Sequence, residues 1–161
     1  MKLYKCTWML ALVSVMFGST SAVAIAEGSG TQVAKMNHEV VMYKSPACEC
    51  CSGWAEHMRK DGFSVTVNKR DDMDVIKAKY GITDKLASCH TAIVNGYVIE
   101  GHVPAADVER LLKERPANVI GLTAPGMPMK SPGMQSVGQP PQDYDVLAFD
   151  KDGTTTVFHR Y

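Results

Sequence analysis

The sequence lacks a block of basic residues, a long hydrophobic run and cysteines spread along the chain. Its 17 basic and 17 acidic residues are interspersed, and no lysine run alternates with aromatic residues, so nucleic acid is not an expected partner. The apolar stretch at 8–17 (WMLALVSVMF) is too short to cross a bilayer comfortably. Of the 161 residues, 45% are hydrophobic and 21% are charged, which is typical of one globular domain.

The N-terminal segment has the features of a signal peptide. Lys2 and Lys5 precede the apolar stretch, and the tripeptides AVA and AIA at 22–24 and 24–26 both fit a small-x-small cleavage site. We therefore predict a signal peptide over residues 1–26, cleaved near residue 24 or 26, and a periplasmic mature protein without a membrane anchor. Cleavage removes two lysines and no acidic residue, which changes the net charge from zero to about −2.

The periodicity of apolar residues divides the rest of the chain into alternating strands and helices. A flexible leader is predicted over 27–37 and one domain over 38–161. We predict strands over 38–43, 63–67, 91–94 and 97–100, and helices over 50–60, 73–80 and 104–115. The dipeptide Asn95-Gly96 predicts a hairpin between the last two of these strands. The order β-α-β-α-β-β-α resembles the thioredoxin fold, an α/β fold with a partly parallel sheet.

The C-terminal part of the sequence has a different composition. Residues 117–142 are rich in proline, glycine and methionine and are predicted to form a long loop, and 144–149 with 154–161 predict a closing β-hairpin. Met127 and Met134 in the loop are candidate secondary ligands, because thioethers bind soft ions such as Cu(I). The alternative is that these two side chains cover an apolar patch.

Three cysteines lie within four residues, in the stretch SPACECC at 45–51. Cys48 and Cys51 have the spacing of a thioredoxin-like redox pair at the start of a helix, where the helix dipole favours a thiolate. Cys51 also belongs to an apolar stripe and is expected to be more buried than Cys48; the stripe comprises Cys51, Trp54, Ala55 and Met58. Cys50 has no role in simple dithiol exchange, because a third thiol beside Cys48 and Cys51 would compete for disulfide formation with either of them.

A metal site accounts for the third cysteine. Clustered thiolates select soft ions, chiefly Cu(I), zinc or iron–sulfur centres. A structural zinc site usually has two separate cysteine pairs. Neighbouring side chains on a helix diverge by about 100°, which makes one shared ion difficult to reach. Thiolates that bridge several Cu(I) ions relax this demand. Structural disulfides, zinc, an iron–sulfur cluster and thiol–disulfide exchange remain as alternatives.

The fourth cysteine of the predicted mature chain, Cys89, precedes the first strand of the predicted hairpin. In a thioredoxin-like fold this loop lies against the redox cysteines, and Cys89 stands near the usual place of a proline, so we expect a fourth thiolate at the cluster. His90 and His102 are further candidate ligands, although alternation along a strand would turn His90 away from Cys89. The other histidines are expected at the surface or at strand ends: His57, His38 and His159.

Three segments resemble the CopG family of small exported copper-resistance and metal-binding proteins: MYKSPACECCSGWAEHMRKDGF, GITDKLASCHTAIVNGYVIEGHVPAADVERLL and GLTAPGMPMKSPGM. The resemblance extends over about 39–161. It implies a thioredoxin-like fold and a copper cluster on Cys48, Cys50, Cys51 and Cys89, in a protein of copper tolerance. The implied partners are copper ions and other periplasmic copper-handling proteins. Sequestration of Cu(I) and catalytic interconversion of Cu(I) and Cu(II) both remain open, and a thiol–disulfide oxidoreductase that acts on protein substrates is the alternative.

Overall fold

The computed structural model describes residues 38–136 and 138–161, which form a mixed α/β fold of seven strands and three helices. The predicted signal peptide and leader lie outside these residues. No helix among the described residues is long and apolar enough to cross a membrane. In chain order the elements are β1 (Glu39–Lys44), α1 (Glu49–Lys60), β2 (Ser64–Lys69), α2 (Met73–Lys79), β3 (His90–Val94), β4 (Tyr97–Gly101), α3 (Ala105–Glu114), β5 (Gly121–Ala124), β6 (Asp145–Phe149) and β7 (Thr155–Arg160).

The seven strands form one sheet in the order β2-β1-β3-β4-β5-β6-β7. The pairs β1–β2 and β4–β5 are parallel, and the remaining neighbours are antiparallel. Because β1 and β3 run in opposite directions, Lys44 at the end of β1 lies opposite His90 at the beginning of β3. This register brings the segment after β1 and the segment before β3 to the same end of the sheet.

The prediction of a continuous loop over 117–142 was wrong at 121–124, which form the buried strand β5. The short stretch GLTA, next to a proline, has too little apolar periodicity to predict a strand. Its pairing partners decide the conformation, since β5 lies between β4 and β6. Position 121 of this strand has no room for a side chain, because a Cβ atom there would lie only 2.1 Å from the Val98 carbonyl oxygen and 2.5 Å from the Phe149 ring. The closing hairpin and the earlier order of strands and helices are confirmed.

The apolar stripe predicted for α1 is buried in the main hydrophobic core, with Cys51, Trp54 and Met58 completely inaccessible. The indole Nε1 of Trp54 donates a hydrogen bond of 2.8 Å to the carbonyl oxygen of Val103, between β4 and α3. Truncation of a buried tryptophan typically costs about 3–5 kcal/mol of stability. Trp54 therefore fixes α1 against the segment that leads from β4 into α3.

Candidate metal centre

Four cysteines from two segments meet at the end of the sheet, and we call them the cysteine cluster. Cys48, Cys50 and Cys51 lie at the start of α1, and Cys89 lies immediately before β3. Their sulfur atoms are within 4.8 Å of one another. The expectation that the distant cysteine joins the other three agrees with this geometry. It follows from the antiparallel pairing of β1 with β3, which places the two cysteine-bearing segments side by side.

The cysteine cluster contains one disulfide, between Cys48 and Cys51, and two free thiols. The Sγ atom of Cys50 lies 3.5 Å from that of Cys48, and Cys51 Sγ lies 3.8 Å from the carbonyl oxygen of Cys89. The disulfide joins the two residues with the redox-pair spacing. Two electrons and two protons convert it into two thiols, after which four sulfur ligands face the same space.

The start of α1 favours negative charge at the cluster. Cys48 is the N-cap residue of the helix, in an extended backbone conformation, and its side chain makes no capping hydrogen bond. The first N–H groups of an α-helix have no partner within the helix, and they carry the positive end of the helix dipole. Thiolates at such a position are stabilised.

Cys89 experiences the opposite influence. Burial, followed by the charge of the neighbouring Cys50, raises the pKa of Cys89 to about 12. The Cys89 thiol therefore keeps its proton at neutral pH when no ion is near. A soft metal ion displaces the proton, since metal ligation favours the thiolate over the thiol.

His102 directs one ring nitrogen at the cluster. Its Nε2 atom lies 2.8 Å from Cys89 Sγ, and its Nδ1 atom lies 2.6 Å from the carbonyl oxygen of Pro132. A carbonyl oxygen only accepts, so Nδ1 carries the hydrogen and Nε2 keeps its lone pair. Burial lowers the pKa of His102, and the hydrogen bond to Pro132 opposes this effect. Metal-binding histidines are commonly oriented in this way through their second nitrogen.

His90 also lies at the cluster, contrary to the expectation from strand alternation. Its Nδ1 atom is 3.6 Å from Cys89 Sγ, and ligand atoms of Cys51, Cys89, His90 and His102 lie within 4.8 Å of one another. The alternation rule does not apply to Cys89, which precedes the strand. The His90 ring is completely buried against Trp54, and its Nε2 atom has no hydrogen-bond partner among the described residues. Burial, then His102 and two lysines, lowers its pKa well below the ordinary value.

The loop at 125–134, which we call the methionine loop, contacts the site through backbone atoms. Met127 and Met129 are 59% and 71% exposed, and Met134 is half-buried. Their role as secondary ligands remains a prediction. The loop is held at one end by a hydrogen bond from the Ser88 hydroxyl to the carbonyl oxygen of Gly126, and at the other by the bond from His102 to Pro132.

Gly133 allows the methionine loop to approach α1. A Cβ atom at Gly133 would lie 2.5 Å from the backbone nitrogen of Trp54 and 2.7 Å from the carbonyl oxygen of Cys50. The φ angle of Gly133 is 86°, in the left-handed region that favours glycine. The sequence analysis did not predict these backbone contacts. The tripeptide SPG at 131–133 indicates a turn, but not which segment the turn contacts.

The remaining histidines do not lie within the candidate ligand groups of the described residues. His57, expected at the surface, is half-buried, and its Nε2 atom accepts a hydrogen bond of 3.0 Å from the Ala105 N–H at the start of α3. His38 contacts the Asn95 amide at 3.0 Å, and His159 donates from Nδ1 to Asp107 at 2.8 Å.

A buried carboxylate supports the segment that carries Cys89. Glu100, with 0% exposure, accepts hydrogen bonds from the Ser88 N–H at 2.7 Å and the Thr91 hydroxyl at 2.6 Å, and it pairs with Lys77 at 2.5 Å. Burial raises the pKa of Glu100, and the charge of Lys77 opposes this effect. Sequence reasoning did not select Glu100; the signal available was an acidic residue within the apolar strand YVIEG.

Comparison with known proteins relates the chain to one family profile and to solved structures of copper resistance proteins. The profile of a family described as "Protein of unknown function, DUF411" matches residues 86–134, which include Cys89, His90 and His102. The solved structure "Copper resistance protein copG- Form 2" is 35% identical, with a TM-score of 0.71 over 78% of this chain and 98% of that chain. "Copper resistance protein copG- Form 1" is also 35% identical, with a TM-score of 0.69 over 76% and 96%. No curated protein sequence matches the chain.

Proposed function

The chain belongs to the family of CopG copper resistance proteins, and from this premise we propose that it is an exported protein of copper tolerance that binds Cu(I) on the cysteine cluster. The observation that carries the proposal is the meeting of four sulfur atoms within 4.8 Å, from segments 38 residues apart. Thiolates prefer soft ions, and Cu(I) is the soft ion consistent with the relatives' printed names. The described part of the fold is also consistent with a thioredoxin-like core, which the strand order β2-β1-β3-β4 supports.

We propose that the reduced cluster holds several Cu(I) ions bridged by thiolates. Cys50 and Cys51 are adjacent on a helix and diverge by about 100°, so bridging several ions suits them better than sharing one. We propose His102 as a further copper ligand, because its Nε2 lone pair faces Cys89. We propose His90 as a second histidine ligand, because its buried Nε2 atom has no hydrogen-bond partner among the described residues.

Electron transfer to copper is the catalytic extension of this proposal. Two Cu(II) ions each accept one electron from the thiolates of Cys48 and Cys51, which join as a disulfide and leave two Cu(I) ions. Cys50, Cys89 and His102 then remain to bind Cu(I). A dithiol reductant returns two electrons and two protons and restores the pair. The Cys48–Cys51 disulfide supports this route, and it also means that oxidation removes two ligands.

The proposed place of action is the periplasm, with copper ions and other periplasmic copper-handling proteins as partners. Support comes from the relatives' printed role in copper resistance and from the signal-peptide pattern at 1–26.

An anaerobic titration tests copper binding. The mature chain is fully reduced, freed of reductant and titrated with Cu(I) while its thiols are counted with a thiol reagent. We expect several Cu(I) ions per chain and protection of all four thiols. A variant with all four cysteines replaced by serine is the control. Binding of no more than one Cu(I), with four thiols still reactive, would refute the proposal.

A thiol–disulfide oxidoreductase is the second candidate, and the disulfide at the start of α1 is the observation that favours it. The variants C48S and C50S separate the two functions when each is measured for reduction of a protein disulfide substrate and for Cu(I) affinity. An oxidoreductase loses exchange in C48S and keeps it in C50S. A copper protein loses Cu(I) affinity in both.

A further inference from the structure

Lys44, the last residue of β1, is a buried ammonium beside the cysteine cluster. Only 3% of it is exposed. Its Nζ atom donates hydrogen bonds of 2.6 Å to the Cys48 carbonyl oxygen and 3.1 Å to the Ser52 hydroxyl. Among the described residues, no carboxylate lies within 4.0 Å of Nζ. The charge is therefore solvated by a carbonyl and a hydroxyl, both of which are neutral.

A buried charge is costly unless an opposite charge accompanies it. The same protein provides a contrast in Lys77, whose partly buried ammonium pairs with the Glu100 carboxylate at 2.5 Å. The fold thus supplies an acidic partner to one lysine near the site and none, in the described part of the chain, to Lys44.

The position of Lys44 connects it to both halves of the cysteine cluster. It lies opposite His90 in the pairing of β1 with β3, and His90 directly follows Cys89 in the sequence. Its two hydrogen bonds reach Cys48 and the first turn of α1. The charge therefore stands at the junction where the two cysteine-bearing segments meet.

We propose that Lys44 is the counter-charge of the thiolate–copper centre, a positioning residue whose missing anionic partner is the cysteine cluster itself. This inference rests on the proposed function. Each Cu(I) ion brings one positive charge, whereas each thiol that loses its proton to bind copper becomes a negative thiolate. The first ion, bound by two or more thiolates, therefore leaves a net negative charge, which further ions on the same four sulfur atoms reduce. The effect of Lys44 is consequently greatest on the first Cu(I) ion and declines as further ions bind.

Two substitutions separate the charge of Lys44 from its hydrogen bonds. Lys44→Gln keeps an N–H donor near the Cys48 carbonyl and removes the charge, whereas Lys44→Met removes both and keeps a similar shape. Lys60→Gln is the matched control, because Lys60 is exposed at the other end of α1 and its replacement changes the net charge equally.

The experiment is a stepwise anaerobic Cu(I) titration of the reduced mature chain against bicinchoninate, with the melting temperature of each reduced variant measured without copper. We expect Lys44→Gln and Lys44→Met to weaken the first Cu(I) step by about 10- to 100-fold and the last step much less, since bonds to charged groups contribute on this scale. Lys60→Gln should bind as wild type does.

Two results would overturn the inference. Wild-type affinity of Lys44→Gln at every step would show that the charge is not used. An equal loss at every step, together with a lower melting temperature, would show a structural role alone. A wild-type chain that binds no Cu(I) would instead reject the proposed function, so the two failures are distinguishable.

Discussion

The Nε2 atom of His102 lies 2.8 Å from the Sγ atom of Cys89, and this contact links the cysteine cluster to the methionine loop. The opposite ring nitrogen is held by the Pro132 carbonyl oxygen. The loop thus determines which nitrogen of His102 carries the hydrogen, and so which one can face a metal ion.

Replacement of His102 is expected to weaken copper binding. In His102→Ala, the Nε2 lone pair beside Cys89 is lost, and we expect Cu(I) affinity to fall about 10- to 100-fold, the scale of losses at groups around metal sites. Competition with bicinchoninate measures the affinity. His38→Ala is the control, because His38 immediately precedes the start of β1, at the opposite end of the strand from Lys44, and this variant should bind Cu(I) as wild type does. Unchanged affinity in His102→Ala would exclude His102 from the site.

Gly133→Ala is expected to destabilise the protein more than Gly138→Ala. Both glycines have a φ angle of 86°, but a Cβ at Gly138 meets nothing within 4 Å, whereas one at Gly133 meets backbone atoms of α1. The control therefore carries the cost of the backbone conformation alone, about 1–3 kcal/mol. Thermal unfolding should give a distinctly lower melting temperature for Gly133→Ala. Equal melting temperatures would show that the loop yields without cost.

Glu100→Gln is expected to lower the free energy of unfolding by about 3 kcal/mol, because it leaves the Lys77 ammonium without its buried partner. Urea denaturation at neutral pH measures the change. Glu114→Gln, at an exposed position at the end of α3, should change stability little. A loss of less than about 0.5 kcal/mol in Glu100→Gln, the range typical of surface substitutions, would mean that the pair adds no stability.

The stability of the copper-free protein is expected to fall as the pH drops below about 6.5. Burial lowers the pKa of His57 from 6.5, with Asp61 opposing, and the neutral Nε2 atom accepts the Ala105 N–H. Between the folded and unfolded pKa values the unfolded chain binds more protons, so stability is present above pH 6.5 and is lost below it.

His57→Gln tests this pH dependence, because glutamine can accept the same hydrogen bond and does not titrate. Its melting temperature should decline less steeply between pH 7.5 and 5.5 than that of wild type. The decline should not vanish, because burial also lowers the pKa values of His90 and His102. Identical slopes would remove His57 from this account.

Oxidation of the Cys48–Cys51 pair is expected to reduce copper capacity. A chain of residues 27–161 with this disulfide should show two reactive thiols under denaturing conditions and bind fewer Cu(I) ions than its fully reduced form, which should show four. Metal analysis after gel filtration gives the stoichiometry. Equal copper content in both forms would show that Cys48 and Cys51 are not ligands.

Local sequence patterns determined the order of the first seven elements and the closing hairpin, because an apolar period reports which face of a segment is buried. The same locality fixes the relation of Cys48, Cys50 and Cys51, which one turn of helix holds together. The resemblance to the CopG family, carried by these cysteines and the segment around Cys89, was confirmed by the solved structures.

Contacts between distant segments were decided only by the tertiary structure. Strand β5 exists because β4 and β6 pair with it, and its own four residues carry no such signal. The place of His90, the Pro132 carbonyl that orients His102 and the lone charge of Lys44 depend on which strands and loops become neighbours. The sequence by itself therefore determined which groups could bind a soft metal. Chain folding decided which of them meet, because hydrogen bonds and burial between distant segments have no local period.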